Sequence, residues 1–383
     1  MRVMHIVAGR VFGGVETHLV TLARFRHLCP EMETHFGVCY AGRLSEELRA
    51  TGAPTHVLGA ARLSRPWTIW NVRRELRRVV AREGIEAVVC HMAWAQAIFG
   101  PAARSAHCAS VIFLQNPVGD VDWLERWARR ARPDLALCVS QDTARSSSKL
   151  YPDVPAQVVY SPMPEFASYA REEVRPAVRR ELNTPEDSTV FVQASRMDVW
   201  KGHANLLEAL GLLADRQGWV LWMAGGPQND SERRYFAGLQ EQAARLGIGG
   251  RVQFLGQRRD VPRLMAAADV FCQANTGSEG FSWAFMEACA ASLPIVTSAV
   301  GGAPEIVDPS SGILVPPGEV EALAAALGTF VGRADLCRAM GEAGRRRLHQ
   351  MCDRETQLRK LHSALLPLAR ETRTLENPLQ ASR

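Results

Sequence analysis

Two glutamates, Glu279 and Glu287, stand eight residues apart and supply carboxylates that could hold the hydroxyl groups of a sugar or a ribose. The short apolar run at residues 269–272 precedes them and predicts a buried strand, and a helix-like stretch follows to about residue 291. Glu279 is therefore expected in a strand-to-helix loop, with Glu287 about one and a half turns into the helix. Backbone amides at Phe281 and Ser282 would open that helix, where an anion is favoured. A chance spacing in a chain with 40 acidic residues is the alternative.

A second pattern pairs two basic residues, Arg196 and Lys201, around a loop that follows the predicted strand at residues 189–194. Arginine offers a planar fork of donors and lysine a point charge, so the pair suits a pyrophosphate. Ligands of open parallel sheets bind outside the carboxyl ends of the strands, which is where this loop is expected. An ordinary surface loop would explain the same two residues.

In the first half of the chain, Gly13, Gly14 and Glu16 end the first loop and begin a helix. Adjacent glycines let the backbone approach a ligand, and the helix start favours a phosphate. His91 ends a predicted strand at residues 87–90, where an active-site histidine and a satisfied structural histidine are both possible.

These candidate residues need a scaffold of sheets and helices, and the chain of 383 residues is long enough for two domains. Strand and helix patterns alternate in both halves, which predicts parallel sheets covered on both faces. The nine cysteines are scattered without a Cys-x-x-Cys pair, so reduced thiols are expected rather than disulfides or a zinc site. No run of eighteen apolar residues occurs, so no membrane-spanning helix is expected. The apolar run at the start of the sequence is too short for a signal peptide, and a cytoplasmic protein is expected.

The stretch at residues 277–290 resembles the Glu-Gly-Phe-Gly…Glu-Ala element of the retaining glycosyltransferases of family 4. The matching residues here are Glu279, Gly280, Phe281, Ser282, Glu287 and Ala288. The resemblance covers the chain from Gly13 to about Leu327 and includes the Gly-Gly turn and the Arg–Lys pair. It implies an α/β protein with the GT-B fold, in which two Rossmann-like, doubly wound parallel-sheet domains face each other.

The resemblance also implies roles for individual residues. The donor, a nucleotide sugar expected to be UDP-linked, would be bound by Gly13, Gly14, Arg196, Lys201, Glu279, Gly280, Phe281, Ser282 and Glu287. Glu279, Arg196, Lys201 and His91 are the expected catalytic residues, and Glu16, Gln115, Asn116, Asp120 and Asp122 the expected acceptor-binding residues. No metal and no cofactor are expected.

Two features depart from the family pattern or compete with it. The family often has a second histidine after the next strand, where this chain has Gln115 and Asn116, which can hydrogen-bond a sugar but not act as a general base. Asp120 and Asp122 form an Asp-x-Asp sequence, which is the metal motif of the other large glycosyltransferase fold and could instead line an acceptor pocket.

The predicted domain plan has five parts. Residues 1–165 form the acceptor-binding domain, 166–187 the linker, 188–350 the donor-binding domain, 351–370 a helix that returns to the first domain, and 371–383 a mobile tail.

The predicted function, implied by the resemblance, is transfer of a hexose from a nucleotide diphosphate sugar to a hydroxyl of a small polar acceptor, with retention at the anomeric carbon, as in the glycosylation of natural products or metabolites. The alternatives are a lipid-linked envelope or polysaccharide acceptor, an epimerase or phosphorylase on the same fold, and a non-catalytic binding partner. A basic amphipathic helix at residues 62–82, with Trp67 and Trp70, could lie on a membrane surface or be an ordinary surface helix. Nucleic acid is not an expected partner, because no recognisable reading module accompanies the basic residues.

Overall fold

Alternating strands and helices build two parallel sheets in the computed structural model, which describes residues 1–9 and 13–376. The chain divides into two compact units. Unit 1 is Met1–Pro164 together with the segment that begins at Cys352, and unit 2 is Glu165–Met351. Elements are numbered along the whole chain.

Unit 1 contains a sheet of seven parallel strands in the described residues, in the order β3-β2-β1-β4-β5-β6-β7. The strands are β1 (Arg2–Val7), β2 (Glu33–Val38), β3 (Thr55–Val57), β4 (Ala87–His91), β5 (Ala109–Leu114), β6 (Leu135–Cys138) and β7 (Ala156–Val158). The helices are α1 (Gly14–Phe25), α2 (Arg43–Ala50), α3 (Pro66–Glu83), α4 (Met92–Ser105), α5 (Trp123–Arg129), α6 (Gln141–Ser147) and α15 (Arg354–Glu376).

Unit 2 contains six parallel strands in the order β10-β9-β8-β11-β12-β13 within the part of the chain that the structure describes. They are β8 (Thr189–Ala194), β9 (Trp219–Ala224), β10 (Val252–Gly256), β11 (Val270–Gln273), β12 (Ile295–Ser298) and β13 (Gly312–Val315). The helices are α7 (Arg171–Glu181), α8 (His203–Gly211), α9 (Asp230–Arg245), α10 (Val261–Ala267), α11 (Trp283–Ala290), α12 (Ala303–Ile306), α13 (Val320–Phe330) and α14 (Ala334–Met351).

Both sheets follow from strands that are apolar on both sides. Every residue of β4, β5, β8 and β9 is buried, as expected for parallel strands covered by helices on two faces. The direction of strand addition reverses between β1 and β4 in unit 1, and between β8 and β11 in unit 2. Ligands of doubly wound sheets bind at such reversals, outside the carboxyl ends of the strands. The fold thus places the loops after β8 and β11 at a ligand-binding edge.

The segment predicted as a linker, residues 166–187, contains the helix α7. Three arginines one turn apart on α7, Arg171, Arg175 and Arg179, each place a guanidinium nitrogen 2.6 Å from the carboxylate of Asp269. The same carboxylate accepts the backbone N–H of Val190 at 2.7 Å. Because Arg179 is completely buried, its charge must be matched, and this network attaches α7 to the sheet of unit 2.

The last described helix, α15, belongs to unit 1. Arg354 at its start donates to the carbonyls of Met163 and Pro164 at 2.8 and 3.0 Å, and its guanidinium lies 4.0 Å from the ring of Phe25. The helix was predicted over residues 351–370, whereas α15 continues to Glu376, into the segment predicted as a tail. The remainder of that predicted tail, residues 377–383, lies outside the described residues.

All nine cysteines are buried as free thiols. In the described residues, no helix combines the length and the apolar character needed to cross a membrane.

Candidate functional site

The loops after β8 and β11 lie side by side, because these two strands are paired in parallel, with Phe191 opposite Val270. The backbone N–H of Thr276 in the second loop donates to the carbonyl of Trp200 in the first at 2.9 Å. Gly202 allows this approach, since a Cβ added there would lie 1.7 Å from the carbonyl oxygen of Ala274. Its φ of +71° also lies in the left-handed region that favours glycine.

An ion pair joins the two loops. The ammonium of Lys201 donates to Oε1 of Glu279 at 2.8 Å, and the two side chains are only 9% and 21% exposed. The other oxygen of Glu279 lies 3.2 Å from the amide nitrogen of Asn275 and 3.4 Å from that of Gln273. The ring of Trp200 lies 4.1 Å from the ammonium. The structure therefore brings together two of the predicted catalytic residues and orients both.

A second group of side chains, those of Gln193, Ser195 and His203, contacts the loop after β8 or packs beside it. Gln193 donates to the carbonyl of Lys201 at 3.0 Å. Ser195 places its hydroxyl 3.0 Å from Nε2 of His203. Burial and the neighbouring charge of Lys201 lower the pKa of His203 to about 4, so this histidine is neutral at pH 7. The neutral ring adds no second positive charge beside Lys201.

Arg196, predicted to act together with Lys201, has a different environment. Its side chain is 65% exposed, and a guanidinium nitrogen lies 2.8 Å from Oδ2 of Asp198. Its guanidinium is thus much less constrained than the ammonium of Lys201.

The predicted helix after Glu279 is present as α11, with Ser282 as its N-cap residue. Ser282 is buried, its side chain makes no capping hydrogen bond, and its hydroxyl has no partner among the described residues. The backbone of Gly302 donates to the carbonyl of Glu279 at 2.9 Å, and a Cβ on Gly301 would lie 2.1 Å from that carbonyl oxygen. These contacts position the chain just before α11, whose first amides are available to an anion.

Glu287 lies on α11, half-buried, and no hydrogen bond of the described residues involves its carboxyl group. Burial raises the pKa of Glu287 to about 7. Buried acceptors at Gln193 Oε1 and Gln273 Oε1 are also without partners in the described part of the chain. Because an unpaired buried polar group costs free energy, this concentration of unmatched groups favours a ligand that supplies hydroxyl donors.

In unit 1, His91 ends β4 as predicted but is buried between two partners. Its Nε2 lies 3.0 Å from Nδ1 of His5, and its Nδ1 lies 3.4 Å from the amide nitrogen of Gln115. Since an amide N–H only donates, His91 accepts at Nδ1 and donates from Nε2 to His5. Burial holds the pKa of His91 well below its usual range. This arrangement favours the structural alternative for His91, and a catalytic role stays a prediction.

No motif in the sequence pointed to His5 or His18. Nδ1 of His18 lies 3.0 Å from the hydroxyl of Ser161, and its ring centre is 5.7 Å from that of His91. Burial lowers the pKa of both His5 and His18 to about 3. His5 lies in β1 and His18 in α1, which are largely apolar, and a single histidine in such an element gives no local indication of a functional role.

Glu16 closes the start of α1, and its carboxylate accepts the backbone N–H of Gly13 at 3.0 Å. Burial raises the pKa of this carboxyl group. Gly13 is the N-cap of α1 and Gly14 its first residue, so both lie at the helix start as predicted. Glu16 is therefore engaged with its own helix in this structure.

The remaining predicted acceptor residues, Asn116, Asp120 and Asp122, are exposed. Asp122 is the N-cap of α5, where its carboxylate accepts the backbone N–H of Glu125 at 2.8 Å. No group of three or more His, Cys, Asp or Glu residues in the described residues is arranged to hold a metal ion. The helix cap gives Asp122 a structural role that needs no metal.

Comparisons with known proteins identify the family. A sequence model described as glycosyl transferases group 1 matches residues 174–347. A GDP-mannose-dependent alpha-(1-6)-phosphatidylinositol monomannoside mannosyltransferase of Mycobacterium tuberculosis is 30% identical over 292 residues, covering 70% of this chain and 73% of that protein. This chain is a group 1 glycosyltransferase. The resemblance seen at residues 277–290 is thus confirmed at the level of the family.

Other relatives of this glycosyltransferase match shorter segments or only the fold. A D-inositol 3-phosphate glycosyltransferase of Streptomyces griseus is 36% identical over 178 residues, which is 44% of this chain but only 37% of that protein. A crystal structure of Anabaena HepE in complex with UDP superposes with a TM-score of 0.81 and 21% identity, covering 96% of this chain and 100% of that chain. The predicted GT-B architecture of Rossmann-like parallel sheets is confirmed.

The raised pKa of Glu287 predicts a specific effect of pH on stability. The carboxyl group titrates near 4.5 when unperturbed and near 7 when folded, so the folded protein binds more protons between these values. The free energy of unfolding should therefore fall as pH rises through this window. Glu287→Gln removes the titration, and at pH 8 the variant should be more stable than wild type by about 1–2 kcal/mol.

Urea denaturation of both proteins at pH 5 and pH 8 measures this difference. Glu321→Gln, an exposed change on α13, serves as the matched control and should leave the stability similar to wild type at both values. An equal stability difference between wild type and Glu287→Gln at pH 5 and pH 8 would contradict the assigned pKa.

Proposed function

We propose that this glycosyltransferase moves a hexose from a nucleoside diphosphate sugar to a hydroxyl of a small polar acceptor, with retention at the anomeric carbon. The observation that carries the proposal is the buried Lys201–Glu279 pair, at the carboxyl ends of β8 and β11 and beside the open start of α11. A cation, a carboxylate and free amides at one sheet edge match the diphosphate and the sugar of such a donor.

Each residue then has a separate task. Glu287 binds the ribose hydroxyls, for which its unpaired carboxyl group is suited. Glu279 holds hydroxyls of the transferred hexose through the lone pairs left by Lys201 and the two amides. Lys201, Arg196 and the first amides of α11 stabilise the charge that develops on the departing diphosphate, a type of stabilisation that often dominates catalysis.

The proposed reaction proceeds on one face of the sugar. The bond from the anomeric carbon to the diphosphate oxygen breaks, and a bond from that carbon to the acceptor oxygen forms. The acceptor's proton passes to the departing phosphate oxygen, so no separate protein base is required. This route is compatible with the absence of a histidine at positions 115 and 116.

For the donor nucleotide, uridine and guanosine diphosphates are the two candidates. UDP is the nucleotide named in the HepE complex, and GDP-mannose is the donor named for the mycobacterial relative. UDP-hexoses and GDP-mannose are therefore the donors to test first.

Lys201 should contribute more to the rate than Arg196, because the ammonium is held in place whereas Arg196 is mostly in solvent. Lys201→Met is expected to lower kcat by roughly 10²-fold or more, and Arg196→Ala by about 10-fold. Turnover is measured by mass spectrometry with the two donor types and a panel of hydroxylated acceptors. Reactions with donor alone separate a transferase from an epimerase, which needs no acceptor.

Arg233→Ala provides a matched control, since Arg233 is exposed and paired with Asp230 on α9. Thermal unfolding of each variant checks that the protein remains folded. Wild-type turnover by a folded Lys201→Met variant would remove the diphosphate assignment.

A second candidate acceptor, a lipid-linked one, is favoured by the surface of α3. Trp67 and Trp70 are 62% and 56% exposed, and the guanidinium of Arg74 lies 5.3 Å from the ring of Trp70. The predicted apolar stripe lies on the other side of the helix, where Val72, Leu76, Val79 and Val80 are buried and Ile69 is half-buried. Exposed tryptophans beside arginines are typical of helices that lie at a membrane surface.

Vesicle sedimentation distinguishes the two acceptor classes. If the acceptor is lipid-linked, the protein should bind vesicles that contain anionic lipid, and Trp67→Ala/Trp70→Ala should weaken that binding at least several-fold. Trp123→Ala, which removes an exposed tryptophan from α5, should leave it unchanged. Absence of vesicle binding by the wild-type protein would leave the small acceptor as the proposed class.

A further inference from the structure

We propose that unit 2 contains a second ligand site, which binds a small phosphorylated compound at the edge of the sheet opposite to Lys201 and Glu279. The site is a cavity of about 540 Å³. It is formed by α7, by α14 and by the segment 291–293, which precedes β12, together with Asp269, which precedes β11. The cavity thus lies at the amino ends of β11 and β12. Since the strands are parallel, these ends lie away from the loops that follow β8 and β11.

Arginines from two helices line this cavity. Arg171 and Arg175 stand one turn apart on α7, and Arg338 and Arg345 stand two turns apart on α14. Arg346 is the fifth, and the acidic lining residues are Glu172, Asp269 and Glu342. The cavity therefore carries a surplus of positive charge.

Asp269 is shared with a further arginine, Arg179, which is not itself a lining residue. Its carboxylate contacts Arg171, Arg175 and the buried Arg179 at 2.6 Å each. These contacts fix the two guanidiniums of α7 in the lining of the cavity. Each guanidinium has five N–H groups, so donors remain for a ligand after the bonds to Asp269 and to the backbone.

The arginines of α14 are free to adjust, unlike those of α7. Arg346 lies 4.0 Å from Glu342, and Arg338 contacts the highly exposed Asp335. Arg345 is exposed and makes no hydrogen bond or ion pair with other described residues. A fixed pair of arginines on α7 and three movable arginines on α14 could close on an anion from two sides.

The chemistry of the cavity indicates the class of ligand. Guanidinium groups recognise phosphate through paired hydrogen bonds, and an anion among several of them is attracted by each. The volume lies within the range of small-molecule sites, so a phosphate with an organic group attached can fit. Ala291, Leu293, Ala334 and Cys337 supply an apolar wall for such a group.

Calorimetry with inorganic pyrophosphate as the probe tests the proposal on the whole chain of 383 residues. Because pyrophosphate can also bind near Lys201, the titration is performed on wild type, on Lys201→Met and on the double variant Arg338→Gln/Arg345→Gln. Pyrophosphate should still bind to the cavity of Lys201→Met. In the double variant, the dissociation constant of this binding event should be raised at least 10-fold.

Arg234→Gln/Arg245→Gln is the matched control, since it removes the same charge from exposed positions on α9. It should leave this binding event unchanged, and thermal unfolding should show that both double variants are folded. An equal loss of affinity in the control would show non-specific attraction to a basic surface. Such an equal loss in the control would overturn the proposal. It would also be overturned by unchanged pyrophosphate binding in Arg338→Gln/Arg345→Gln, or by the absence of pyrophosphate binding in Lys201→Met.

Discussion

The ion pair between Lys201 and Glu279 is the interaction on which the candidate site depends. A lysine with so little exposure needs a counter-charge, because an unpaired buried ammonium costs several kcal/mol. The two residues come from loops 78 positions apart in the sequence, which the pairing of β8 with β11 makes neighbours. The close approach at Gly202 and the hydrogen bond from Gly302 to the carbonyl of Glu279 hold those loops at the distance that the pair requires.

The ion pair between Lys201 and Glu279 also limits how a nucleotide-sugar donor can bind. An ammonium has three hydrogens, and one is directed at Glu279, so a diphosphate must use the others or draw Lys201 away from its partner. The hydroxyl of Ser282 and the carboxyl group of Glu287, in contrast, have no hydrogen-bond partner among the described residues. In unit 1 the predicted site residues have partners: both ring nitrogens of His91 contact neighbours, His5 and Gln115, and Glu16 binds its own helix start. The unmet hydrogen-bonding capacity of the predicted site residues therefore lies mainly in unit 2.

The parts of the site that could be predicted from sequence are those with local signals. An apolar run, a loop with Glu279 and a helix with Glu287 follow one another within about twenty residues, and β11 and α11 have this arrangement. The apolar stripe of α3 was equally visible, because its spacing is helical. In each case the pattern is contained within one short segment.

The parts that could not be predicted arise from contacts between distant segments. Arginines one turn apart on α7 are typical of a solvated helix face, and only the fold shows that all three converge on Asp269. The different environments of Arg196 and Lys201 likewise depend on the neighbouring loop after β11, although the two residues are five positions apart. The amides of Gln273 and Asn275 at the end of β11 were a signal that could have been used, since polar residues at a strand's carboxyl end often contact ligands.

The central claim is that α11 and the loop before it bind the donor, with Glu287 on the nucleotide and Glu279 on the sugar. Calorimetric titration of UDP and GDP into wild type, Glu287→Gln and Glu279→Gln tests it most directly. Loss of a hydrogen bond to a charged group costs about 1.5–3 kcal/mol, so Glu287→Gln should weaken nucleotide binding by roughly 10-fold or more. Glu279→Gln should leave it unchanged or tighten it, because Lys201 then loses its competing partner. Equal weakening in both variants, or no weakening in Glu287→Gln, would contradict the assignment.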